Sequence, residues 1–263
     1  MLQAPEPQYR PWVSFATLFR REVMRFLRIP VQSVAAPFLT NLLFLGIFGG
    51  FFYGLAPSPD KISMLQILVP GLIFSGVFMS AFQNPVFSLL TMKYMDTLKE
   101  YRHYPLGTPS FYLGLSLSGA LRGFLVGLMI WAAAGIFMGY EIEHPVGFWL
   151  SMFVLSFIAS ASGIACGLRL NSFEKGNFVV SLILTPAMYL GGVFYDVNAV
   201  GPALSITARF DPFTAPIDVI RFFYFGTPVS AGFLEIGLAA AVLLFALIYS
   251  WKSLDAGVGM VAK

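Results

Sequence analysis

Long apolar runs alternate with short polar connections along this chain, and six of them are long enough to cross a membrane as helices. A hydrocarbon core about 30 Å thick is spanned by about 20 mostly apolar helical residues. The runs cover residues 34–54, 65–90, 110–140, 147–168, 177–195 and 232–251. They are continuously apolar, whereas membrane-barrel strands alternate over about ten residues, so the pattern predicts an all-α, polytopic membrane protein. Within the six runs the only formal charges are Arg122 and Glu235.

Three segments do not read as simple spans. Ahead of the first run, Trp12, Phe15, Ala16, Phe19, Val23 and Phe26 recur at helical spacing, with Arg21, Arg25 and Arg28 on the opposite face. This predicts an amphipathic helix on the membrane surface, its arginines turned to anionic lipid or to a protein; it serves either as an anchor or as a partner-binding element. The connection 92–105, MKYMDTLKEYRHYP, places Tyr94, Met95, Leu98 and Tyr101 on one helical face and Lys93, Asp96, Lys99, Glu100 and His103 on the other. It is either a short helix docked under the membrane with a charged side displayed or a solvated loop helix. The segment 196–231 carries Pro202, Pro212, Pro216 and Pro228 around apolar pieces too short to span. Re-entrant or interfacial helices follow, forming a lid over an exit path or a plain cap.

Composition supports this picture. The 263 residues are 57% hydrophobic and 11% charged, with mean hydropathy +0.77, against about 25% charged in ordinary soluble domains. The net charge of +3 is small, and the basic residues flank apolar runs rather than forming a nucleic-acid patch. Twelve lysines and arginines lie on one side of the predicted membrane (Arg10, Arg20, Arg21, Arg25, Arg28, Lys93, Lys99, Arg102, Arg169, Lys175, Lys252, Lys263). Three lie on the other (Lys61, Arg209, Arg221). Cytoplasmic loops carry that excess, so both termini are expected inside. Tyr53, Tyr140, Trp149 and Tyr195 then fall near the outer boundary, and Trp12 and Trp251 near the inner one. The first thirty residues lack a secretory-signal pattern, so the N-terminus is expected to be retained.

Candidate chemistry is sparse. Arg122 sits in a stripe of Gly119, Gly123 and Gly127, which would let another helix, including one from a second copy, approach closely. Its guanidinium either contacts substrate or a gate, or snorkels or braces packing. Gly163 and Gly167 form a second pair, and Pro37, Pro70, Pro85 and Pro186 open or interrupt spans. The single Cys166 excludes an intramolecular disulfide, and His103 and His144 fall on opposite sides. No phosphate-binding GxxxxGK[ST], HExxH or GxSxG motif is present. Metal and cofactor sites are expected to be absent, and so is any ATPase site of the chain's own.

The motif set resembles the membrane subunits of type-2 ATP-binding-cassette exporters, within them the bacterial permeases grouped with nodulation-factor, polysaccharide and drug exporters. The resemblance is carried by RREVMRFLRIPVQSV, ILVPGLIFSGVF, MKYMDTLKEYRHYPL, SGALRGFLVG, LTPAMYLGGVFYDV and DPFTAPIDVIRFFYFG. The 185–195 run, TPAMYLGGVFY, is the most specific. The family pattern has Asn-Pro where this chain has Asp211-Pro212.

The resemblance implies one permease domain over 1–263, with an interface helix in 1–33 (Arg21, Arg25, Arg28). A coupling helix would lie in 91–109 (Lys93, Asp96, Lys99, Glu100, Arg102), and an outer re-entrant segment in 196–231. An outer gate would involve Pro186, Gly191, Gly192 and Tyr195. Two copies would pair with two separate ATPase subunits that hold ATP and Mg, in a bacterial inner membrane. A lipid, glycan or drug-like substrate would pass outward between the copies. An ATP-independent carrier or channel is the alternative, and a membrane-embedded enzyme ranks last.

Overall fold

A computed structural model describes residues 10–55, 58–100, 107–139, 141–226, 229 and 232–256. The side chains of Tyr53, Lys61, Lys99, Glu100 and Glu235, and the whole of Tyr101, Arg102, His103, Tyr140, Pro228 and Lys263, lie outside what is described. Among the described residues every regular element is helical. In chain order they are α1 (Pro11–Leu27), a π-helical turn (Val31–Ala35) leading into α2 (Ala36–Leu55), α3 (Ser58–Tyr94), α4 (Thr97–Glu100), α5 (Thr108–Met138) and α6 (Pro145–Arg169). Then follow α7 (Phe173–Phe178), a second π-helical turn (Val179–Leu184), α8 (Thr185–Leu190), α9 (Pro202–Arg209), α10 (Thr214–Phe225) and α11 (Phe233–Asp255).

Five described helices are long and apolar enough to cross a membrane: Val31–Gly50, Leu65–Tyr94, Thr108–Ile136, Pro145–Arg169 and Ile236–Asp255. The chain is therefore an all-α polytopic membrane protein. The span expected at 177–195 is not among these five, and a broken helical segment stands in its place. It is a composite of α7, the π-helical turn and α8, running from Phe173 to Leu190. It ends early because Gly192 takes a left-handed φ of 96°, which glycine adopts without a Cβ clash. The π turns have a local cause as well. Each leads into a proline, Pro37 or Pro186, whose ring has no N–H and crowds the carbonyl four residues back.

α3, α5 and α6 form the core. The spanning window of α3 is 78% buried, whereas those of the first and last spans are 17% buried and sit at the periphery. The approach is close because glycines line the contacts. A Cβ on Gly163 would collide with the Phe82 carbonyl oxygen and come 2.8 Å from Pro85 Cγ, and one on Gly167 would lie 3.1 Å from Val86 Cα. The Gly119, Gly123 and Gly127 stripe is likewise used inside this chain. A Cβ on Gly123 would sit 2.6 Å from the Val77 carbonyl oxygen, and one on Gly119 would be 2.9 Å from that of Ala81. The stripe therefore packs α5 against α3 and α6, correcting the expectation that it offers a surface to a second copy. Serines add interhelical bonds, as where Ser156 Oγ donates to the Ala120 carbonyl at 2.7 Å.

Gly163→Ala is expected to destabilise the protein by about 1–3 kcal/mol, because a backbone carbonyl cannot move aside as a flexible side chain would. Gly46→Ala, where a Cβ meets nothing within 4 Å, is its control. Thermal unfolding in mild detergent distinguishes them, and equal midpoints would refute the close-packing account.

Candidate functional site

One end of the bundle is organised by a residue that counting charges in apolar runs passes over. α1 turns Leu18, Glu22 and Phe26 toward the other helices, spaced four apart on one face, and Glu22 is completely buried. A carboxylate there must be fully paired. Arg21 Nη2 lies 2.7 Å from Glu22 Oε1, and Arg25 Nε lies 3.0 Å from Oε2. Ser88 Oγ, from α3, donates to the same Oε2 at 2.7 Å. Arg25 Nη2 also donates to the backbone and side-chain oxygens of Asn84, both at 2.9 Å. Asn84 Nδ2 in turn donates to Ser118 Oγ of α5 at 3.3 Å. The network joins the surface helix to two core helices. Arg21 and Arg25, expected to face anionic lipid or a protein, pair with the buried carboxylate instead, Arg25 half-buried and Arg21 still exposed on its outer side; Arg28 is exposed.

Arg122 continues this polar layer. It is buried, and its Nε donates to the Ser33 carbonyl at 2.9 Å. In an α-helix that carbonyl would accept from the N–H of residue 37, which is a proline here. Arg122 thus supplies a donor where the π turn lacks one, and Ser33 Oγ ties the same turn to the carbonyls of Phe26 and Ile29.

The connection after α3 differs from its expected two-faced helix. Lys93 is not displayed. Its Nζ donates to the carbonyls of Gly167, Leu168 and Leu170 at 3.0, 2.6 and 2.8 Å, closing the C-terminal end of α6. Unpaired carbonyls and the negative end of the helix dipole attract a cation there. Tyr94 and Met95, expected to dock, are exposed, whereas Leu98 is buried. Asp96 is exposed at a left-handed φ of 57°, which reverses the chain into α4. The backbone of Lys99 and Glu100 belongs to α4, and Arg102 lies outside the described residues.

At the opposite end, α10 is held by a buried cation. Arg221 Nη1 lies 3.2 Å from Asp218 Oδ1, while Nη2 donates to the carbonyls of Gly192 at 2.6 Å and of Tyr195 and Ile67 at 3.3 Å. This fastens the 191–195 turn onto α3, against which it fits because Gly71 has no side chain; a Cβ there would lie 2.9 Å from Val193 Cα. Tyr195 Oη donates to the Leu190 carbonyl within the same turn. Gly191 lies beside Phe213 and Asp211, and Pro186 occupies the first turn of α8. Asp211 Oδ1 accepts from the Phe213 N–H at 2.8 Å. Burial pushes its carboxyl up to about 6, against the opposing pull of that hydrogen bond. An asparagine carbonyl would accept the same bond.

Between the two π turns lies a cavity of about 320 Å³ whose wall includes Gln32, Thr40, Asn41, Gln83, Thr185 and Tyr189. Among the described residues no cluster of three histidine, cysteine, aspartate or glutamate side chains could hold a metal.

A membrane-crossing bundle with buried ion pairs at both ends and a cavity of mixed lining between two bent helices defines a polytopic helical membrane protein. The chain is a member of the ABC-2 type transporter family, whose model matches residues 13–225. It is 26% identical to the inner membrane transport permease YadH of Escherichia coli strain K12, over 95% of this chain and 97% of that one. It is also 24% identical to nodulation protein J of Rhizobium meliloti strain 1021, over 86% of each chain. A second nodulation protein J, from Rhizobium leguminosarum bv. viciae, is 20% identical over 90% of this chain and 92% of its own.

Proposed function

We propose that this permease is the membrane-spanning subunit of an ATP-binding-cassette exporter, working as two copies with two copies of a separate ATPase subunit. The observation that carries the reading is the Glu22 network, which joins a helix bearing exposed arginines to the two core helices α3 and α5. A force applied to α1 by a soluble partner reaches the transmembrane core through charge-assisted bonds rather than through lipid. In this reading α1 and the 91–109 segment face the cytoplasm, as do both termini. The 196–231 segment caps the exit, and a lipid, glycan or drug-like substrate moves outward. ATP and Mg reside on the partner, and this chain holds no nucleotide.

Affinity-tagged protein in mild detergent is expected to bring down a nucleotide-binding ATPase, and reconstituted transport is expected to require ATP. Transport in ATP-free vesicles driven by an ion gradient would replace this reading with a secondary carrier. Within the complex, Asp96→Lys is expected to weaken the coupling of hydrolysis to transport by roughly 5–150-fold, the span of coupling free energies of about 1–3 kcal/mol. Unchanged coupling would remove the exposed 95–97 turn from the contact.

A further inference from the structure

The cavity between the two π turns is lined from three stretches of chain, 31–45, 74–84 and 179–190, and none of them contains an aspartate, glutamate, lysine, arginine or histidine. Two of the three belong to the spanning helices Val31–Gly50 and Leu65–Tyr94. Arg122 and Arg25, whose bonds reach Ser33 and Asn84, do not line it. Polar and apolar side chains share the wall. Asn41 and Ser75 are buried there and tied down, Ser75 Oγ donating to Asn41 Oδ1 at 3.0 Å and Asn41 Nδ2 to the Pro37 carbonyl at 2.9 Å. Three other polar groups are not tied down. Among the described residues, none bonds to the amide of half-buried Gln83, the hydroxyl of half-buried Tyr189 or the amide of exposed Gln32.

Beside membrane-spanning helices, polar groups left without partners are costly, so their convergence on one cavity calls for a ligand that supplies partners. An amide offers both donors and an acceptor, and a phenol can do either, so the complementary ligand carries groups that also do both. Hydroxyls meet that requirement. A charged ligand would find no opposite charge anywhere on the wall. An acyl chain or an apolar drug would fill the space and leave the amides unpaired. The rings of Phe44 and Tyr189 meet edge to face on the wall, 6.3 Å apart at 83°. Such a surface packs against the C–H face of a saturated ring whose hydroxyls project sideways. At about 320 Å³ the cavity falls at the lower end of the roughly 300–1,000 Å³ of small-ligand sites, which suits a ring unit rather than a long chain.

We infer that this cavity binds an uncharged sugar unit, with Gln32, Gln83 and Tyr189 on its hydroxyl groups and the Phe44 and Tyr189 rings on its face. That the sugar belongs to the cargo rests on the exporter reading, and it narrows a lipid, glycan or drug-like substrate to a glycan. The binding itself is a property of the permease alone.

The test is native mass spectrometry of the intact protein released from phosphatidylcholine nanodiscs that hold equal parts of diacylglycerol, monoglucosyl diacylglycerol and monoglucuronosyl diacylglycerol with the same acyl chains. The wild type is expected to retain the glucosyl lipid over both others. Gln83→Leu and Tyr189→Phe are each expected to lower that preference about three- to tenfold, the worth of one hydrogen bond. Gln32→Ala, at an exposed position, is expected to act in the same direction and keeps the test open should Gln83→Leu fold poorly. Leu43→Ala, exposed on α2 and outside the cavity, is expected to change nothing. Equal retention of the three lipids in the wild type, or an equal loss with Leu43→Ala, would overturn the site. Retention of the glucuronosyl lipid as strongly as the glucosyl one would overturn the requirement for an uncharged unit. Absence of the glucosyl preference together with dissociation of a dimer by Gln83→Leu would assign the cavity to contact with a second copy instead. A glucosyl preference that persists while no ATPase co-purifies would remove the exporter reading and leave the site standing; a lost preference with the ATPase still bound would remove the site alone.

Discussion

Glu22→Leu is expected to lower the thermal midpoint of the detergent-solubilised protein by roughly 6–20 °C, the equivalent of about 3–5 kcal/mol. The substitution removes the partner of Arg21 and Arg25 while leaving Ser88 Oγ without its acceptor, all at a completely buried position. Glu22→Gln keeps an oxygen for Ser88 but not the charge, and is expected to cost less, about 1–3 kcal/mol. Adding Arg25→Met to Glu22→Leu should restore part of the loss, since an apolar pair is tolerated where half an ion pair is not. That recovery is the discriminating measurement. If Glu22→Leu and Arg25→Met simply add, the two side chains do not act as a unit and the network does not seat α1.

The second large effect lies at the other end of the molecule. Arg221→Leu strips a donor from the carbonyls of Gly192, Tyr195 and Ile67 and leaves Asp218 buried beside an apolar side chain. Breaking one partner of a buried pair costs about 3–5 kcal/mol. The 191–195 turn is expected to detach from α3 locally rather than the whole protein to unfold, because the α3, α5 and α6 core does not depend on it. Val193, fully buried against Gly71, is the reporter. In a background where Cys166 is replaced by alanine, Val193→Cys should resist maleimide with Arg221 present and label roughly a hundredfold or more faster with Arg221→Leu, the ratio given by about 3 kcal/mol of easier opening. Arg221→Lys, which keeps charge but not the planar fork, should fall between. Protection of Val193→Cys that is unchanged by Arg221→Leu would show that the turn is held by packing alone.

The spanning helices were legible because apolar length is a local property that composition reports directly. The Gly119, Gly123 and Gly127 pattern was legible as a site of close approach, but nothing in its spacing says which helix approaches. That depends on where α3 and α6 lie. Glu22 shows a different failure. It shares a helical face with Leu18 and Phe26, yet five arginines in the first thirty residues make the segment read as a cationic surface helix, and an isolated carboxylate attracts no attention there. Lys93 was misplaced for a tertiary reason. Its carbonyl partners come from residues 167–170, and no local pattern announces that the end of α6 will stop beside it. The sequence distance between Arg221 and Ile67 hides the latch at Arg221 in the same way.

α3 bears on both ends at once. Its 37 residues extend about 55 Å, well past the hydrocarbon thickness. It offers the Ile67 carbonyl to Arg221, Asn84 and Ser88 to the Glu22 network and Lys93 to the end of α6. Both fastenings hang on one strut, so a thrust that shifts its Lys93 end along its axis must arrive at Ile67 unless the strut flexes between them. Pro70 and Pro85 are the two places within that interval where a backbone hydrogen bond is already missing. Pro85 stands next to Asn84, and Pro70 three residues from Ile67, so each fastening has its own joint, and the stiff length between the joints is what would carry motion from one face of the membrane to the other.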